Sequence, residues 1–82
     1  MESVDRLISA CGRNNVKDVR RIISEGVDIN GQDSDGTTGL MVSMRHSYCT
    51  ETARILLGYN NIKLDIKDKD GYTALHWACI IV

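Results

Sequence analysis

Three kinds of side-chain grouping in this sequence could do chemistry. His46 with Cys49, and again His76 with Cys79, stand three residues apart, which on a helix puts an imidazole and a thiol on one face. Such a pair could ligate a metal or, with His76 activating Cys79, supply a nucleophile. Asp33-x-Asp35-Gly36 and Asp68-x-Asp70-Gly71 set paired carboxylates beside a glycine, the composition of a calcium loop or of an acid–base pair. Lys17, Arg20 and Arg21 make a basic cluster that could meet an acidic partner. The calcium reading fails on counting, because such a loop carries Gly at its sixth position and Glu at its twelfth. Counted from Gly36, the first position is Gly31 and the twelfth Val42; counted from Gly71, they are Ile66 and Trp77. Acids at turn tips are ordinarily solvated, so no catalytic carboxylate pair is expected, and the basic cluster reads as the solvent face of a helix.

What these groups do depends on the elements that hold them, and those elements repeat. Leu7-Ile8-Ser9-Ala10-Cys11 returns after 33 residues as Leu40-Met41-Val42-Ser43-Met44 and after 35 more as Leu75-His76-Trp77-Ala78-Cys79. Val27-Asp28-Ile29-Asn30 returns after 35 as Ile62-Lys63-Leu64-Asp65, and Asp33 to Thr38 returns after 35 as Asp68 to Thr73. The two His-x-x-Cys pairs are 30 residues apart, so they occupy unlike places in the repeat and have no reason to converge on a metal.

Within one period the chemistry reads helix, turn, helix, polar turn. Ser3 can cap a helix whose apolar face is Val4, Leu7, Ile8 and Cys11. Gly12 to Asn15 breaks it, and Asn15 can cap a second helix that buries Val16, Val19, Ile22 and Ile23 and stops at Gly26. Thr38 then caps a helix carrying Leu40, Val42 and Met44, and Thr50 one carrying Ala53, Leu56 and Leu57. Asp35-Gly36 and Asp70-Gly71 are turn dipeptides.

This pattern resembles the ankyrin repeat, whose signature opens Thr-Pro-Leu-His-x-Ala. Thr73-Ala74-Leu75-His76-Trp77-Ala78 matches it except for the proline, whereas Thr38-Gly39-Leu40-Met41-Val42-Ser43 keeps only Thr and Leu. The resemblance implies an all-α solenoid of helix-turn-helix units joined by β-turn or hairpin loops, one domain over residues 1–82. Its units would be repeat 1 at about 4–32, repeat 2 at about 33–67 and an incomplete repeat 3 at about 68–82. It implies that His76 makes structural hydrogen bonds near Thr73, and that binding falls to a concave face of turn tips and first helices. Carried over by position, that face is Gln32, Ser34, Asp35 and Thr37 with Arg45 and His46, then Lys67, Lys69, Asp70 and Tyr72 with Ile80 and Ile81. Tyr72 is the expected anchor. Asn30, in Ile22 to Asp28-Ile29-Asn30, looks like a sequence that ankyrin-directed asparaginyl hydroxylases accept; the second unit has Asp65 there.

The chain's 82 residues, 43 % hydrophobic and 26 % charged, exclude collagen and disorder. A net charge of −1 is no footprint of a nucleic-acid binder. No apolar run approaches the ~18 residues of a membrane span, and Met1 to Arg6 is too charged for a signal peptide. Three widely spaced cysteines read as reduced thiols, hence an intracellular protein of cytoplasm or nucleus. Neither cofactor nor enzyme activity is expected; the expected role is a module or adaptor binding another protein. At the far end Trp77, Ile80, Ile81 and Val82 form an apolar stretch on which no second helix would pack. Either the chain belongs to a longer array or this end drives self-association.

Overall fold

The apolar spacing becomes five helices in the computed structural model, which describes residues 3–45 and 50–80, with the backbone only of Thr50, Cys79 and Ile80. They are α1 (Ser3–Gly12), α2 (Val16–Ser24), α3 (Gly39–Arg45), α4 (Thr50–Leu57) and α5 (Ala74–Ile80). No strand occurs among the described residues. Helix α2 starts where its cap requires: the Asn15 side chain accepts the Asp18 N–H at 3.3 Å, and Asp18 itself favours the positive end of the helix. It closes through Glu25 onto Gly26, whose φ of 97° a side chain would resist. Helix α3 is capped in the same way by Thr38, whose Oγ1 accepts the Met41 N–H at 3.2 Å.

The first helices α1, α3 and α5 form one row, and α2 and α4 a second row behind it. Helix α3 lies in the middle, packed on α1, α4 and α5. That position explains a departure from the one-sided face that the sequence implies. Met41 and Ser43 are buried together with Leu40 and Val42, because neighbours cover α3 on three sides. The core joins the rows through Leu7, Cys11, Val19, Ile22, Leu40, Met41 and Leu56. Leu57, expected inside, is exposed at the edge of α4.

Among the described residues Ser43 and Thr52 are polar and wholly inside. Thr52 is fully buried at the start of α4, where its hydroxyl donates to Asn14 Oδ1 at 2.6 Å. Asn14 can offer that oxygen because it turns the chain between α1 and α2 at a φ of 54°, a conformation Asn tolerates better than most residues.

Candidate partner-binding face

The acidic turn residues are spent on building the turns. Asp33 Oδ1 accepts the N–H groups of Asp35 at 2.9 Å and Thr37 at 3.0 Å, and the Asp33 N–H closes the loop on Thr37 O. Asp68 repeats this with Asp70 and Tyr72, both at 2.9 Å, and its second oxygen accepts the Trp77 indole N–H at 3.2 Å. Loss of hydration pulls the Asp68 pKa upward, but the bonds from Tyr72, Asp70 and Trp77 and the charge of Lys69 outweigh it and hold the carboxyl below its ordinary value.

The two tips are then stitched together. Lys69 donates its backbone N–H to Asp35 O at 3.0 Å and its ammonium to Asp35 Oδ1 at 3.1 Å. The Asp35 hydrogen bond and charge, helped by Asp70, raise the Lys69 pKa. Gln32 Nε2 bridges Gly36 O at 2.8 Å and Lys67 O at 2.9 Å, one acceptor in each tip. Asn30 works one loop earlier: its Nδ2 donates to Asn61 O at 2.8 Å and its Oδ1 accepts the Lys63 N–H at 2.8 Å. Gly36 fits this close approach, since a Cβ there would stand 2.9 Å from both Asp68 Cα and Lys69 N.

On this scaffold Ser34, Asp35, Lys67, Lys69 and Asp70 are exposed, and Tyr72 keeps 40 % of its surface. Thr37 departs from the set inferred from sequence: only 9 % exposed, it offers a partner almost nothing. Gln32 is exposed, but its amide nitrogen is engaged by both tips. His46 lies outside the described residues, as do Cys49, Ile81 and Val82 and the side chains of Cys79 and Ile80. His76 Nδ1 accepts the Thr73 N–H at 3.0 Å, with Thr73 Oγ1 also at 3.0 Å, which fixes the ring at the helix start. Among the described residues no group of three or more His, Cys, Asp or Glu could hold a metal ion.

Trp77 corrects the expectation that it belongs to an uncovered end. Its ring is half-buried on the core and meets Tyr72 edge-on, centroids 5.5 Å apart at 78°. The Arg45 guanidinium lies 5.2 Å over it. Tyr72 also sits 5.8 Å from the His76 ring. The sequence groups Trp77 with Ile80, Ile81 and Val82 in one apolar end stretch, and only packing separates Trp77, against Tyr72 and Asp68, from Leu75 and Ala78, which line the groove. The open ground is instead a groove of about 400 Å³ bounded by Leu40, Met44, Leu57, Leu64, Leu75 and Ala78. Within it Leu75 is 72 %, Leu64 57 % and Leu57 45 % exposed. Leu64 and Leu57 belong to different repeat positions, so no spacing rule connects them.

A family model described as ankyrin repeats, in three copies, matches residues 7–80. The chain is a member of the ankyrin-repeat family. Ankyrin repeats are in general non-catalytic protein–protein interaction modules, stacked so that their tips and first helices make an extended binding surface. A probable serine/threonine-protein kinase of Dictyostelium discoideum is 35 % identical over 85 residues, which cover 95 % of this chain and 10 % of that protein. The ankyrin chain thus spans about a tenth of that relative's length, and the likeness concerns that stretch alone. No helix among the described residues is long and apolar enough to cross a membrane.

Proposed function

We propose that this ankyrin chain is a binding module or adaptor, intracellular in cytoplasm or nucleus, that takes another protein on the concave face of its tips and first helices. The contacts are Ser34, Asp35, Arg45, Lys67, Lys69, Asp70 and Tyr72, with His46 added from the sequence. The observation that carries this reading is Tyr72, a large ring fixed at a tip on Trp77 yet open to solvent over 40 % of its surface. Its ordering cost is already met in the free chain. The unit boundaries proposed with it are about 4–32, 33–67 and 68–82. Capture from the native cell should fall at least about tenfold for Tyr72→Ala combined with Lys69→Glu. It should be unchanged for Arg54→Glu on the outer helix α4. Equal capture by parent and double variant would overturn the reading.

A second reading is supported by the groove at Leu57, Leu64 and Leu75: this face associates with a copy of the chain. Covering these three leucines is worth about 3–5 kcal/mol at roughly 1.5–3 kcal/mol per fully buried side chain. That is near the lower edge of what association costs, so the expected dimer is weak. Asn30 is further proposed as an asparaginyl-hydroxylase substrate. Mass spectrometry of protein from hydroxylase-containing cells checks it, and an unmodified Asn30 throughout would end the idea.

A further inference from the structure

Charge on the tip face is paired from within only in part. Asp35 is paired with Lys69, and the carboxylate of Asp68 is occupied by Asp70, Tyr72 and Trp77. Hydrogen bonds from neutral N–H groups leave Asp33 and Asp68 charged, so the charges on this face without an ion pair among the described residues are Arg45 and Lys67 against Asp33, Asp68 and Asp70. Arg45 differs from Arg6, Arg13 and Arg21, each of which has a carboxylate within 4 Å, at Glu25 or Asp18. Its guanidinium makes no ion pair among the described residues and instead lies over a tryptophan ring, with Cζ 5.2 Å from the centroid. That ring cannot turn away, because Asp68 holds its N–H, Tyr72 stands against it and the core lies beneath it. A guanidinium carries five N–H donors in a planar fork matched to a carboxylate, and a ring on one side of it leaves donors for such a partner. Against the same tryptophan ring Tyr72 stands edge-on, with 40 % of its surface exposed.

We propose that Arg45, Trp77 and Tyr72 together receive an acidic segment of the partner: a glutamate or aspartate carboxylate on the Arg45 fork, with an adjoining apolar side chain laid on Tyr72. The proposal rests on the concave-face reading and names the chemistry of its ligand. A nucleic acid fits poorly, since a phosphate backbone needs a row of cations and this face interleaves Asp35, Asp68 and Asp70 with its bases. The placement of Arg45 over its ring also assigns Trp77 a role in recognition, as the residue that positions Arg45.

Trp77 is the sole tryptophan, so its emission reports on this cluster directly. The 82-residue chain is titrated with an acetylated, amidated peptide whose Glu-Leu-Glu core is flanked by Gly-Ser, and with Gln-Leu-Gln and Lys-Leu-Lys counterparts. The glutamate peptide should give a saturable change in emission that weakens several-fold between about 20 mM and 0.5 M salt. The glutamine peptide should bind at least about tenfold more weakly. Arg45→Gln, shown by circular dichroism to keep its helix, should lose the preference for glutamate. Arg45→Lys, which keeps the charge without the fork, should recover only part of it. Equal binding of the glutamate and glutamine peptides, an unchanged preference in Arg45→Gln, or no saturable signal up to about 5 mM would overturn the proposal. Tighter binding of the lysine peptide would overturn it too, while leaving the concave face intact. The concave reading fails separately, if partner capture ignores Tyr72→Ala and responds to Arg54→Glu.

Discussion

Replacing Asn30 by alanine removes two hydrogen bonds that tie one unit to the next, and the loss can be sized from their geometry. Both are short, at 2.8 Å, and both join the Asn30 amide to backbone groups, Asn61 O and the Lys63 N–H. A net hydrogen bond contributes about 0.5–1.5 kcal/mol, and Asn61 and Lys63 are exposed enough for water to take over the freed groups. The two together therefore cost about 1–2 kcal/mol, a large share of the stability of so small a domain. Urea unfolding followed by circular dichroism reads this directly. With a slope near 1 kcal/mol per molar, the midpoint should fall by about 1–2 M. Asn30→Asp should do no better than alanine. It keeps an acceptor for Lys63 but turns an anionic oxygen toward the Asn61 carbonyl. Hydrogen exchange should show the Lys63 amide losing more protection than the middle of α1. A midpoint for Asn30→Ala within about 0.3 M of the parent would refute the clamp.

Asp68 has a depressed pKa, so its contribution to folding is complete above the ordinary carboxylate pKa and is lost as pH falls through the lowered folded value. Asp68→Asn should accordingly flatten the acid limb of a stability–pH profile, and an unchanged limb would count against the turn network. Gly36→Ala and Gly71→Ala form a matched pair, with φ of 78° and 84°. Both carry the backbone cost of about 1 kcal/mol, but only the Cβ at position 36 meets backbone, at 2.9 Å. Gly36→Ala should therefore lower the thermal midpoint clearly more than Gly71→Ala, as scanning calorimetry would reveal. Leu75→Glu should abolish any concentration-dependent association seen by sedimentation equilibrium while leaving helicity intact. Association that survives it would move the self-contact elsewhere.

The amphipathic helices and the caps at Asn15 and Thr38 were legible in the sequence because each rests on neighbouring residues. Asn15, Thr38 and Gly26 act within one turn of themselves, and the repeated Asp-x-x-Gly-x-Thr fixes each tip locally. Helix α3 was legible only in part, since a segment covered on three sides carries no period that tells inside from outside. Thr52 was missed because its partner, Asn14, lies 38 residues away and depends on a left-handed turn. The tip residues were legible as positions, but their roles were not. Gln32 and Thr37 look as available as Ser34 until the tips are packed side by side. Arg45 and Trp77 come together only through the packing of α3 on α5.

The polar ties between successive units run along both edges of the stack. Asn30, Gln32 and the Lys69–Asp35 pair lace one edge, and Asn14 with Thr52 laces the other. The rows of helices between them are joined by apolar contact, which alone would allow small slides. In a one-dimensional picture of repeat stability, a bond inside a unit counts toward that unit, and a bond across units counts toward the coupling between neighbours. These ties are all coupling. Melting α1 and α2 would have to break the bonds at both margins at once, so fraying from that end gains little before the rest follows. The stack therefore behaves as one cooperative body, and a partner meets the recognition face either whole or not at all.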